Sequence, residues 1–283
     1  MTDLSRYADW ISWLTARAAA DPDVRCAWVG GSAATGDYDE WSDLDVVVLC
    51  TPGAATAVHD RWLALARAHF DVRDVWTPPA ATWPGARQCF LNLQDRPGLL
   101  EAPTRLVDLV VRDLDDQHSH VDVRRHGSLV VLHDPDSLVV MEDEDVSAEM
   151  AEAVDQVRQR RVTGEWLVNR ALARGHVAEA VDLYLRFPLA GLVRLLRVEH
   201  CPWRHDFGLR YLRADLPAEV ADRVEGLVPG ASAASLEELS LRCHAWLDQL
   251  LADSQVAPAP EWSSLSSAIA VGDDDSTDAE DGS

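Results

Sequence analysis

Residues 29–48, VGGSAATGDYDEWSDLDVVV, constrain this 283-residue chain more than any other stretch. A short apolar run, Val24 to Val29, leads into Gly30, Gly31 and Ser32, and a second, Leu44 to Cys50, carries the acidic pair Asp43 and Asp45. Both runs have the length and content of buried strands. Side chains two apart on a strand share a face, so Asp43 and Asp45 point the same way. Carboxylates held like that repel, and a divalent cation with oxygen ligands is the usual resolution. The Gly-Gly-Ser turn offers small residues and free backbone N–H groups, which suit the approach of phosphate. Metal together with phosphate is the first reading.

Charge narrows the choice of partner. Forty-eight acidic residues face 25 basic ones, giving a formal charge of −23. Every basic residue is Arg, so Schiff-base and P-loop lysine chemistry are excluded. Such acidity disfavours nucleic acid and anionic membranes, which require basic surface. It suits a cationic small molecule only weakly; a solvating surface is the preferred account, and part of the charge sits in the C-terminal tail. Cys26, Cys50, Cys89, Cys201 and Cys243 are scattered and form no CxxC pair, so they read as core hydrophobes in a reducing compartment. No segment resembles a signal peptide and no run approaches the length of a membrane span. The expectation is a soluble cytoplasmic protein, monomer or homodimer, with no membrane partner.

Along the chain, Leu4, Tyr7, Ile11, Leu14 and Ala18 have helical spacing, and Asp21-Pro22 ends that helix. Strands are expected at Val24–Val29, Leu44–Cys50, Phe70–Trp76, Cys89–Leu93, Thr104–Val111 and Ser128–His133, with a helix from about Ala54 to His69. From Asp145 helical periodicity takes over: Ser147 to Ala173, Val177 to Arg197 with an interruption near Pro188, shorter helices at Leu209–Arg213 and Ala218–Leu227, and a last one over Ser235–Ala252. The end, GDDDSTDAEDGS, has a composition that buries no core.

Gly31-Ser32, followed after about ten residues by Ser42-Asp43-Leu44-Asp45 and later by Asp108 in VDLVV, resembles the signature of the nucleotidyltransferase superfamily with the DNA-polymerase-β-like fold. The size and the helical second half are similar to the aminoglycoside adenylyltransferases and related antibiotic nucleotidyltransferases. The resemblance covers residues 23–133; for the helical half it rests on architecture. It implies an α+β fold: a nucleotidyltransferase domain at 1–140 with a mixed β-sheet flanked by helices, an α-helical substrate-binding bundle at 145–255, and a disordered acidic tail at 257–283.

The resemblance also implies chemistry. Asp43, Asp45 and Asp108 would be the catalytic and metal-binding residues for one or two Mg²⁺ ions, and Gly31, Ser32 and Ser42 would cradle phosphate oxygens. ATP would be the co-substrate, and AMP would pass to a hydroxyl of a small cationic acceptor with release of pyrophosphate, as in antibiotic-resistance enzymes. Asp108 stands either as a metal ligand or as the general base, its aliphatic neighbours raising its pKa. A protein or RNA acceptor, as in toxin-paired members, is the first alternative. A degenerate nucleotide-binding module is the second, and the intact aspartates speak against it.

Other groups carry weaker signals. Asp37, Asp39 and Glu40 read as a solvated loop, and His118, His120, His126 and His133 match no compact metal set. Trp166 and Asn169 share a helix face, and Glu179 and Asp182 lie one turn apart. Pro202-Trp203-Arg204-His205-Asp206 reads either as a structured loop at the interdomain cleft or as a buried Trp with a local Arg–Asp pair, the structural role being preferred. Arg158, Arg160 and Arg161 stand as candidates for triphosphate, since a chain without Lys must use Arg for anions.

Overall fold

The structure is a computed structural model and describes residues 3–79, 85–94, 102–114 and 119–230. The expected helix at Ser235–Ala252, the acidic tail, His118 and Cys243 lie outside the described residues. Two compact units are present, Met1–Ala218 and Glu219–Ser283. The fold is α+β, with an N-terminal mixed sheet flanked by helices and a helical region after it.

The sheet forms from strands β1 (Val24–Val29), β2 (Leu44–Cys50), β3 (Asp74–Trp76), β4 (Ala86–Asn92), β5 (Leu106–Asp113) and β7 (Val130–His133) in the order β3-β4-β5-β2-β1-β7. Only β2 and β5 run parallel; the other neighbours are antiparallel. Alternation along the strands sorts side chains to two faces. Leu44, Val46, Val48, Cys89, Leu91, Val107, Leu109 and Val111 are buried together on one face. Against it lie Trp10, Leu14 and Ala18 of α1 (Ala8–Ala20), and Val58, Trp62 and Ala66 of α3 (Ala55–His69). The helical spacing of these residues is what makes each helix one-sided. Asp45 and Asp108 fall on the other face, because each is one residue out of step with its apolar neighbours.

Tyr7, in a single 3₁₀ turn (Ser5–Tyr7) ahead of α1, fastens the helical layer to β5. Its ring is fully buried, and its hydroxyl donates to the Thr104 carbonyl at 2.9 Å while accepting from the Leu106 N–H at 3.0 Å. Trp10 stacks on Phe70 with centroids 3.9 Å apart. That packing explains why the third strand is shorter than the Phe70–Trp76 expected: its first residues turn into the core, and only Asp74–Trp76 pairs with β4.

The sequence does not flag β6 (His120–Asp122) or β8 (Val140–Glu142), which form a separate parallel pair, or the single turn α4 (Val123–His126). Three residues are too few to show a period. Beyond them run α5 (Ser147–Ala173), α6 (Val177–Tyr184) and α7 (Ala190–His200). Pro188 does not break the chain. A π-helical turn at Leu185–Leu189 joins α6 to α7, the wide turn accommodating a residue that has no N–H to donate. Gly164 of α5 permits the close approach of this turn, since a Cβ there would stand 2.7 Å from Cβ of Phe187. Short α8 (Leu212–Asp215) and α9 (Ala218–Glu225) follow, and among the described residues no helix is long and apolar enough to cross a membrane.

Tyr7→Phe tests the fastening. The substitution keeps the ring and strands the Leu106 N–H and Thr104 carbonyl in a buried place, so the urea midpoint should fall by the equivalent of about 1–3 kcal/mol. An unchanged midpoint would show that water replaces the phenol.

Candidate active site

The site is built on the sheet face away from α1 and α3. Strand β2 pairs in parallel register with β5 so that Asp45 lies directly beside Asp108, with Leu44 beside Val107. Asp43 immediately precedes β2. Registration places the two carboxylates about 5 Å apart at the backbone, the ordinary spacing of neighbouring strands.

Burial and mutual repulsion both act on these groups. Asp45 is pushed up to about 7, chiefly by burial and then by the charges of Asp43 and Asp108. Asp108 is pushed up to about 6 by burial, and Asp43 is raised for the same reason. The Gln88 side-chain amide donates to both oxygens of Asp108, at 2.8 and 2.9 Å, which favours its anion. Among the described residues no group of three or more His, Cys, Asp and Glu stands in metal-holding geometry. Asp45 and Asp108 thus form a row on the sheet face away from α1 and α3.

The Gly-Gly-Ser turn closes over the end of this row. The Gly30 N–H donates to the Asp45 carbonyl at 2.9 Å. Gly31 has φ +56°, and a Cβ there would overlap the Asp45 carboxylate. Only glycine supplies both that backbone and that space. Gly31 opens the short helix α2 (Gly31–Thr35), which Gly36 ends in the left-handed region. The Ser32 hydroxyl oxygen is buried and has no hydrogen-bond partner among the described residues. A buried hydroxyl without a partner is costly, so it is free to meet a ligand oxygen.

Ser42 differs. Its hydroxyl donates to the Asp39 carboxylate at 2.9 Å and accepts from the Asp39 N–H at 3.0 Å. Arg6 donates to the Ser42 carbonyl while its guanidinium lies over the Tyr38 ring, 4.6 Å from the centroid. These contacts fix the loop that delivers Asp43 to the start of β2.

One cation reaches this row from far along the chain. The Arg210 guanidinium opposes the upward shifts of Asp43 and Asp45. Arg210 is exposed, in a segment held from beneath by fully buried Arg197. Arg197 donates to the Gly208 carbonyl at 2.7 Å and to Asp215 at 2.6 Å, and also to the Arg210 carbonyl. The Arg–Asp pair expected within Pro202–Asp206 is not local: Arg204 bonds Asp215 at 2.8 Å, while Asp206 takes both ends of the Arg125 guanidinium at 2.8 and 2.9 Å. The composition of CPWRHDFGLRY marks the segment as unusual, but nothing in its spacing singles out Arg210.

The remaining candidates lie elsewhere. Arg158 pairs with Asp155 at 3.2 Å, whereas Arg160 and Arg161 line a cavity of about 570 Å³ between α5 and α7 with Asn169, Arg186 and Arg194. None of the three aspartates lines that cavity. Trp166 is exposed beneath Arg170, Glu179 pairs with His176 and Asp182 with Arg186. His120 pairs with Glu142, and burial lowers the pKa of His126.

A family model described as a nucleotidyltransferase domain matches residues 16–73. The matched span holds β1, the Gly-Ser turn, Asp43, Asp45 and α3, and stops short of Asp108. No curated protein matches the chain.

Two outcomes test the electrostatics of the row. In metal-free buffer the folded protein holds protons on Asp45 and Asp108 up to about 7 and about 6, above the ordinary 3.8. Stability from this source is present at about pH 4 and is lost as pH rises through the folded values. Asp45→Asn should then raise the urea midpoint at pH 8 by the equivalent of about 1–3 kcal/mol and leave it nearly unchanged at pH 4. A less stable variant at pH 8 would contradict this. Gly31→Ala, by contrast, should lower the midpoint at both values, because its methyl group displaces the Asp45 carboxylate.

Proposed function

We propose that this chain is a Mg²⁺-dependent nucleotidyltransferase that moves AMP from ATP to a hydroxyl of a small, positively charged acceptor, releasing pyrophosphate. The observation that carries the reading is the in-register pair Asp45 and Asp108, with Gly31 pressed on the first carboxylate and the Ser32 hydroxyl, next in the turn, buried without a hydrogen-bond partner among the described residues. The match of residues 16–73 to nucleotidyltransferase domains supports the same class.

The donor set fits a hard divalent cation: oxygen ligands only, on carboxylates whose repulsion a cation relieves. Asp43 and Asp45 would hold Mg²⁺, with Asp108 adjacent. When bound, the ion supplies neutralisation of phosphate charge and a lowered pKa for a hydroxyl. Gly31 leaves room for the Asp45 carboxylate, and the Ser32 hydroxyl would donate to an oxygen of the triphosphate. Ser42 acts through the loop it shares with Asp39, setting the position of Asp43. Arg210 neutralises charge on the phosphates, the task that the absence of lysine leaves to arginine.

Asp108 serves as the general base. A carboxylate at about 6 is largely ionised at neutral pH and still basic enough to accept a proton in the transition state. The acceptor O–H gives its proton to Asp108 as its oxygen bonds to the α-phosphorus. The bond from that phosphorus to the bridging oxygen breaks, and the electron pair leaves with pyrophosphate. Gln88, bonded to both Asp108 oxygens, holds the carboxylate in place through the transfer.

The assay follows transfer of label from α-labelled ATP, together with pyrophosphate release, in the presence of Mg²⁺ across cationic acceptors, neutral acceptors and cell protein. Label on a small cationic acceptor is the expected result; label on a protein band, or tight ATP binding without turnover, overturns it. Asp45→Asn should lower turnover by about three orders of magnitude, and EDTA should abolish it reversibly. Full activity in Asp45→Asn would remove the metal assignment. Arg210→Ala should raise the KM for ATP about tenfold with a smaller effect on that for the acceptor.

A further inference from the structure

The register that pairs Asp45 with Asp108 continues across the sheet. On the far side of β5, Asp108 lies opposite Phe90 of β4, and Phe90 lies opposite Trp76 of β3. One row therefore reads Asp45, Asp108, Phe90, Trp76 over four strands, with the Gly-Ser turn at its first end. Directly opposed residues share a face, so both rings stand on the side of the carboxylates. The rings stack, with centroids 5.0 Å apart and planes inclined by 19°. Trp76 ends the edge strand and is 58% exposed, a large apolar surface left in water beside a row of acids. Asp74, two residues back on β3 and exposed, adds a carboxylate on the same face.

The order of the row decides what the rings face. In-line displacement puts the incoming oxygen and the departing pyrophosphate on opposite sides of the phosphorus. With the phosphates at Gly31 and Ser32, the departing side is the Asp45 end, and the incoming side is the end of Asp108, Phe90 and Trp76. Strand spacing sets Trp76 about 10 Å from Asp108, within the span of one or two six-membered rings. An exposed indole with the Asp74 and Asp108 carboxylates on the same sheet face attracts a cation as well as a flat apolar surface.

We propose that Trp76 and Phe90 form the acceptor platform, taking the face of a positively charged, hydroxyl-bearing ring and turning its hydroxyl toward Asp108; its direction rests on the nucleotidyl-transfer reading above. Trp76 sets specificity and contributes nothing to ATP binding. The unstacked acceptor would still meet Asp108, only more weakly.

Calorimetric titration of the full chain with kanamycin, a cationic aminosugar, without ATP or metal, reads the platform directly, and trehalose serves as the uncharged ring control. Trp76→Ala should weaken kanamycin binding about threefold to thirtyfold, Trp76→Phe should retain most of it, and trehalose should bind far less well. ATP affinity should be the same in all three proteins. Equal kanamycin binding by wild type and Trp76→Ala overturns the platform, as does failure of the wild type to bind kanamycin. Loss of ATP affinity in Trp76→Ala with kanamycin binding retained would assign the rings to the nucleobase and overturn it too. If kanamycin binds through Trp76 but receives no label from ATP, the transfer reading fails while the platform stands.

Discussion

The structure turns on a carboxylate placed against a backbone. Asp45 sits in a parallel strand pair beside Asp108, its carbonyl holds the Gly30 N–H, and its side chain fills the space where Gly31 lacks a Cβ. Each neighbour is specified by that arrangement. Gly31 must be glycine because its φ is positive and its surroundings are full. Asp45 must be small and anionic if the row is to hold a cation, and the cost is borne by burial that drives its pKa to about 7. The apolar face beneath, with Leu44, Val46 and Val48 against α1 and α3, keeps this strand from shifting register.

The helical region reaches the row through arginine. Arg197, fully buried, spends its guanidinium on backbone carbonyls and on Asp215, and so shapes the segment that carries Arg210. In a chain of net charge −23 and no lysine, a cation acting on two half-buried aspartates is a specific placement. Arg125 and Asp206 tie the same segment to α4. One set of guanidiniums thus connects the acidic row to elements close to a hundred residues away along the chain or more.

Legibility in the sequence followed the range of the interactions. The helix Ser147–Ala173 and strands Val24–Val29 and Leu44–Cys50 have the bounds their patterns predict, because periodicity and flanking turns act locally. The third strand, Asp74–Trp76, is shorter than its apolar pattern because Phe70 stacks on Trp10 of another element. β6 and β8 carry no readable period and exist through pairing with each other. Within the candidate site, Asp43, Asp45 and the Gly-Ser turn are visible as a motif because they lie within a few residues on consecutive elements. Gln88, Phe90, Trp76 and Arg210 join them only through register and packing.

By itself, the sequence determined that the chain folds as α+β, that two carboxylates stand two residues apart at the start of a strand after a glycine turn, and that arginine must serve every cationic role. It did so because strand alternation and turn chemistry are properties of adjacent residues. The tertiary structure alone decided which strand stands beside Asp45, which rings extend that row, and which of 25 arginines, Arg6 and Arg210, act on its carboxylates. Those choices depend on strand order and register, set by the burial of one whole sheet face, a sum over many distant residues that no short stretch contains.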